Sequence, residues 1–345
     1  MVPSVEVTSI RKRETLLFLT IVIPVFNVER YLDDCLRSVL ADTNDDFEII
    51  AVDDGSTDSS AGILHSKSSE DSRLRVFGTG HRGLGAARNF GVSKARGDYV
   101  LFLDSDDWLA TGAIEILRKE TRRSKTDVLS FDTKVRFQEK APLLRRIARV
   151  LYYRRRHGTR QICSGFHLLE VFARRGEWLP SACLYVTTRD LLLEQNITFR
   201  ERTLLEDHAF TYQAFFAART ARHLRIRLHR RRIRSGSITQ DRNGVSLLAG
   251  YLRALEDIFS VAQERNSLEH FSTGAIVNRM GCAAATLLRK VPSELSHQVE
   301  KLGEESPGIQ KILRVLSESS TNLSITLLRW APGNYMAKRI LRSLV

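Results

Sequence analysis

Tyr99-Val100-Leu101-Phe102-Leu103-Asp104-Ser105-Asp106-Asp107 is a short apolar run that opens into three carboxylates. Such a run reads as a buried strand whose exposed C-terminal end carries the acids. A second stretch repeats the pattern: Ile49-Ile50-Ala51-Val52 ends in Asp53-Asp54-Gly55-Ser56-Thr57-Asp58. Open α/β sheets bind ligands along that edge. The two strands therefore predict one pocket, with one acidic cluster for a nucleotide and the other for a metal-bound diphosphate.

Outward from these stretches, strands are predicted over 19–25, 47–52, 74–77 and 99–103. Between them, apolar residues recur at helical spacing over 29–40 (Leu32, Leu36, Val39, Leu40), and further helices are expected over 59–65 and 86–95. Ser56-Thr57-Asp58 supplies a start signal for the second helix, and Thr111 is expected to cap a helix running to Arg122. This alternation predicts an α/β fold with a mostly parallel, Rossmann-like sheet and helices on both faces. Beyond 128–131 the pattern loosens. Helical spacing is expected over 166–172, 191–194 and 206–218, and basic blocks occupy 145–160 and 222–234. From Val245 the text reads mainly helical, broken at Pro292, Pro307 and Pro332.

A chain of 345 residues with 43% hydrophobic content can bury one large domain with a smaller one appended. We expect a catalytic domain over 1–240 and a helical C-terminal extension over 241–345. Cys35, Cys163, Cys183 and Cys282 are scattered without a CxxC pair, which favours a reducing compartment and argues against a zinc site. The apolar run 16–26 is too short to span a bilayer and contains Pro24, so a cytoplasmic protein is expected. The net charge of +13 is uneven: residues 1–110 carry 12 basic and 18 acidic residues, the remainder 41 and 22. An acidic first part and a strongly basic second part predict two jobs rather than nucleic-acid binding throughout. The basic part can face anionic lipid, on the inner face of a membrane, or a polyanionic acceptor or diphosphate.

Asp104 and Asp106 alternate along an extended segment and so can reach one site. Hard oxygen ligands suit Mg²⁺ or Mn²⁺; a solvated acidic loop or a helix cap by Asp107 would leave the same text. Asp53 and Asp54 can hold a uracil imide or a ribose hydroxyl, with Gly55 allowing close approach, or can form an Asx turn. Gly78-Thr79-Gly80-His81-Arg82-Gly83 is a literal dinucleotide fingerprint, but it follows the third strand instead of opening the first.

Four stretches over residues 19–110 together resemble glycosyltransferase family 2: Ile21-Val22-Ile23-Pro24-Val25-Phe26-Asn27, 52–58, Gly83-Leu84-Gly85-Ala86-Ala87-Arg88-Asn89-Phe90-Gly91 and 97–108. The resemblance implies a GT-A fold, a nucleotide-sugar donor, a divalent cation and inversion at the anomeric carbon. It implies Pro24 and Phe26 beside the base, Asp53 and Asp54 on uracil, and Arg88 and Asn89 lining the donor pocket. Asp104, with Ser105, would contact ribose or metal, and Asp106 would ligate the metal directly. Downstream, Leu204-Leu205-Glu206-Asp207-His208 resembles the family's acidic motif, which implies Asp207 as general base with Glu206 in support. Residues 230–239 resemble the segment that closes over the diphosphate, implying phosphate contacts from Arg234 and Ser237. Ala182 and Cys183 stand where many relatives carry polar residues, which leaves the acceptor open.

The expectation is therefore a metal-dependent, inverting hexosyltransferase. Its donor would be a UDP sugar and its acceptor a glycan or lipid-linked precursor of a cell-surface polysaccharide. Three other classes fit parts of the text: a sugar-1-phosphate nucleotidyltransferase, whose glycine-rich phosphate loop near the first strand is lacking, a nicotinamide dehydrogenase, which the glycine pattern at 78–83 would serve, and a non-enzymatic basic module for membrane or nucleic acid. The C-terminal extension and the segment 145–160 could dock on an anionic membrane or pair with a sister chain.

Overall fold

The computed structural model describes residues 17–138, 142–153, 155, 161–234, 244–265, 267 and 270–318. The first part follows the expected alternation: β1 (Leu19–Val25), α1 (Glu29–Leu40), β2 (Phe47–Asp53), α2 (Ser60–Glu70), β3 (Leu74–Gly78), α3 (Leu84–Lys94) and β4 (Tyr99–Phe102). Then come β5 (Trp108–Leu109), α4 (Ala113–Ser124), β6 (Val128–Phe137), α5 (Leu143–Tyr152), α6 (Gly165–Arg174), β7 (Tyr185–Thr188), α7 (Arg189–Glu194), α8 (Glu206–Ala217) and β8 (Ala221–Ile233). Helices α9 (Gly244–Glu264), α10 (Phe271–Leu288), α11 (Ser296–Glu304) and α12 (Pro307–Glu318) follow.

Among the described residues, eight strands form one sheet in the order β3-β2-β1-β4-β7-β6-β8-β5. β3, β2, β1 and β4 are parallel, as the βα alternation requires. Beyond β4 the sheet is mixed: β7 runs antiparallel to both β4 and β6, and β5 antiparallel to β8. Side chains alternate across the sheet as the pleat demands. Ile21, Ile23, Ile49 and Ala51 pack with Leu32, Leu36 and Leu117 on one face. Val22, Ile50, Val52 and Phe102 face the other side, in a core continuous with Phe210, Leu248, Leu252, Val277 and Ile312. The helices after residue 244 thus share their apolar core with the sheet.

Two strands lie where no element was expected, and one expected cap needs correction. The basic block 222–234 is a strand, β8, which pairs in parallel with β6; arginine is no strand former, and pairing with a neighbour overrides its propensity. Tyr185–Thr188 is also a strand, too short to announce itself by periodicity. Thr111 does not cap α4: that place belongs to Gly112, at φ 72, with no side-chain hydrogen bond. The start signal before α2 is held by Asp58, whose carboxylate accepts from the Ser60 and Glu29 amides.

Candidate active site

The acids after β4 meet arginines from α3 and from the end of β8, and through Arg88 they are tied to α8. Asp104, Asp106 and Asp107 can present carboxylate oxygens within 4.8 Å of one another. Buried Arg88, from α3, holds this cluster to α8: Nη2 donates to Asp104 at 2.7 Å and Nη1 to Glu206 at 2.6 Å. Its guanidinium also lies 5.1 Å from the Phe199 ring centroid. α8 begins at Glu206 because Leu205 takes the left-handed conformation, φ 62, costing about 1–2 kcal/mol. That turn sets Glu206 and Asp207 in the first helical turn, where the helix dipole favours negative charge. His208 Nδ1 lies 3.0 Å from Asp207 Oδ1, and its ring packs edge-on against Tyr251 of α9.

β8 supplies the opposing charge. Arg234 Nε donates to Asp106 at 2.9 Å, and Arg231 Nη1 lies 3.7 Å from both Asp104 and Asp107. The Arg232 amide donates to Asp107 at 2.7 Å, while its guanidinium donates to the Asp106 carbonyl and to Asp34 and covers Trp108. His229 Nε2 sits 3.2 Å from Asp107 Oδ2, and its Nδ1 pairs with the Thr133 hydroxyl.

Burial, with Asp107 and Asp104 alongside, pushes the Asp106 carboxyl up to about 6, against the pull of Arg234. Burial would raise Asp104 too, but Arg88 and Arg231 outweigh it and hold that carboxyl well below the usual range. Glu206 is raised by burial, with Arg88 opposing and Asp207 adding. The cluster therefore carries one carboxylate under like-charge stress. Asp107 Oδ2, moreover, is buried with no donor in hydrogen-bonding geometry. Clustered hard oxygens in that condition fit Mg²⁺ or Mn²⁺.

Around the second acidic cluster, Asp54 is buried and its oxygens accept from the Thr79 hydroxyl at 2.8 Å and the Arg82 and Gly83 amides at 2.7 Å each. Carboxylate oxygens offer about four acceptor positions, so one is left over. The amides that a dinucleotide fingerprint would turn on a pyrophosphate are thus already given to Asp54, which removes the basis for the nicotinamide reading. Asp53 accepts from the Ser56 amide and hydroxyl, closing the turn at Gly55, φ 81. Phe26, 39% exposed, and His81 form a ring pair at 4.5 Å beside this loop, and Pro24 lies on β1 one residue before Val25. Ser105 is buried between the acids. Asn89 is turned away from them, its amide exchanging both hydrogen bonds with the Phe199 backbone. Ser237 lies outside the described residues. Burial pushes the Cys183 thiol far up, so it is no thiolate nucleophile. Sequence reasoning missed Arg231, His229 and His208; only the strand pairing of β6 with β8 brings the first two to Asp107.

The sequence profile of glycosyl transferase family 2 matches residues 20–173. The chain is 30% identical over 257 residues to the glycosyltransferase EpsH of Bacillus subtilis, covering 73% of this chain and 71% of that protein. Over 110 residues it is 41% identical to the glycosyltransferase GlyA of Streptococcus pneumoniae, covering 32% of this chain and 16% of that protein. Its fold is similar to that of S. aureus TarS 1–349, solved in complex with UDP-GlcNAc, with a TM-score of 0.67 at 18% identity over 94% of this chain and 92% of the other. A match of that length to EpsH, with a family profile that spans the strands leading to Asp54 and Asp104, makes the chain a glycosyltransferase of family 2.

Proposed function

We propose that this glycosyltransferase moves a hexose from a UDP-type nucleotide sugar to a hydroxyl of a glycan or lipid-linked acceptor, with inversion, in the synthesis of a cell-surface polysaccharide. The observation that carries the reading is the Arg88 bridge, which ties a donor-side acid, Asp104, to the acids that open α8. Transfer needs a nucleophile activated on one face of the sugar and a leaving diphosphate on the other. In this reading Asp207 accepts the proton of the acceptor hydroxyl as its oxygen bonds to the anomeric carbon and the bond to the diphosphate oxygen breaks. His208, 3.0 Å from Asp207, holds that carboxylate in orientation. Asp54 and Phe26 flank the base, and Arg234 meets the diphosphate. Asp104 and Asp106 would hold Mg²⁺ or Mn²⁺, which neutralises charge on a departing diphosphate. TarS and a Pyrobaculum calidifontis mannosyltransferase solved with GDP-Man and Mn²⁺ share the fold and support a nucleotide-sugar donor.

The test is a panel of nucleotide sugars with Mn²⁺, read as nucleoside diphosphate release. Asp106→Ala and Asp207→Ala should each reduce transfer by about a thousandfold or more, and only the first should weaken metal-dependent UDP binding. Equal loss of UDP binding in both variants would contradict the separate roles. Pyrophosphate released from a nucleoside triphosphate and a sugar phosphate would favour the nucleotidyltransferase instead.

A further inference from the structure

We propose that α5 is a docking element for an anionic lipid surface. Leu143-Leu144-Arg145-Arg146-Ile147-Ala148-Arg149-Val150-Leu151-Tyr152 is strongly amphipathic: at 100° per residue the aliphatic residues share one arc and the three arginines the other. A helix of this kind ordinarily buries its apolar arc against the protein. Here Leu143, Leu144, Ile147, Val150 and Leu151 are 70, 82, 45, 50 and 51% exposed. Five neighbouring aliphatic side chains facing water form a contiguous patch of the type that marks an interaction site.

Charge selects the occupant. Residues 142–160 contain seven arginines and no acid. A second copy packed α5 against α5 would bring the same positive sign to the contact. The chain's own residues 319–345 carry four basic residues and no acid, so they too would meet α5 with like charge. An anionic bilayer complements both arcs, taking the aliphatic side chains into the acyl boundary while lipid headgroups meet the arginines. One short helix gives marginal, reversible attachment by apolar burial alone, so the anionic headgroups are required for binding.

The C-terminal end of α5 adjoins the catalytic cluster. Tyr153 lies beneath the Arg231 guanidinium at 5.7 Å, and Arg231 reaches Asp104 and Asp107. Docking through α5 would set the lipid surface on the side of the acidic cluster where Tyr153 and Arg231 lie. The docking itself needs none of the transfer chemistry.

The experiment is co-sedimentation of the full chain with vesicles of phosphatidylcholine alone and of phosphatidylcholine mixed with phosphatidylglycerol. A charge-neutral triple variant, Leu144→Gln with Ile147→Gln and Leu151→Gln, separates the helix from the general attraction of a +13 chain. The parent should bind the mixed vesicles and lose binding as salt rises. The triple variant should bind them about tenfold or more weakly with an unchanged thermal melt, since the altered side chains are exposed. Arg146→Gln with Arg149→Gln should weaken binding in the same direction. Equal binding by parent and triple variant would overturn the proposal, as would no binding by the parent. A parent dimer in sedimentation velocity that the triple variant dissociates, without vesicle binding, would assign the face to a second copy and also overturn it.

Discussion

Replacing Arg88 by methionine removes a buried cation that two buried carboxylates share. Its nitrogens stand 2.7 Å from Asp104 and 2.6 Å from Glu206. Charge centres about 4 Å apart at an effective dielectric of about 20 attract by about 4 kcal/mol, so the gross interaction is about 8 kcal/mol. Desolvation of the guanidinium offsets part of this, and removing one partner of a buried pair typically costs about 3–5 kcal/mol. At about 2 °C per kcal/mol for a chain of this size, the melting temperature should fall by about 6–10 °C. Thermal and urea melts of Arg88→Met measure it. The double variant Arg88→Met with Glu206→Gln removes one stranded charge and should recover about 1–3 kcal/mol of the loss. Arg88→Lys should rescue little, because one ammonium cannot span two carboxylates as a planar guanidinium does. A single variant that melts within about 1 kcal/mol of the parent, or a double variant no better than the single, would refute the bridge as the tie between β4 and α8.

Glu48 gives a pH test away from the site. Buried on β2, it accepts from Thr20, Arg75 and Arg96; burial raises its carboxyl, and these bonds together draw it below the ordinary 4.5. A depressed carboxylate contributes stability above its unfolded value that drains away as pH falls through the folded one. Glu48→Gln should therefore cost about 1–3 kcal/mol at pH 7 and progressively less below about pH 4.5; a constant difference across urea melts from pH 7 to 3 would rule this out. Gly250→Ala tests the support behind α8: its Cβ would stand 2.6 Å from the Leu204 carbonyl oxygen, so α9 or the 204–205 turn must shift. Overpacking of this kind costs about 1–3 kcal/mol, and kcat should fall while KM for the donor holds; a donor KM that rises with kcat unchanged would show that the shift reaches the donor side instead.

The donor half of the fold was legible because β1, β2 and β4 are buried parallel strands written as continuous apolar runs, and β2 and β4 open into acid. Asp104, Asp106, Arg88 and Glu206 could be named in advance, but not the bond between Arg88 and Glu206, since 118 residues separate them. The basic block 222–234 concealed β8. Its arginines speak against a strand, and only pairing with Thr133, Lys134 and Val135 of β6 determines that Arg231 meets the acids. Asn89 misled in the other direction. It stands beside Arg88 in the motif, yet one helical step of about 100° turns it to the Phe199 backbone.

The uneven charge of the chain resolves at this edge of the sheet. Arg231, Arg232 and Arg234 come from the basic part and meet Asp34, Asp104, Asp106 and Asp107 of the acidic part. What looked in sequence like a surface for a polyanion is, over β8, an internal complement to a carboxylate cluster that could not otherwise be packed. Three acids within 4.8 Å repel strongly in a partly buried site, and the arginines of the neighbouring strand relieve this. Guanidiniums on a strand are also the groups best matched to phosphate oxygens. The charge that stabilises the carboxylate cluster is thus of the sign that a diphosphate would meet, and the same strand can serve both.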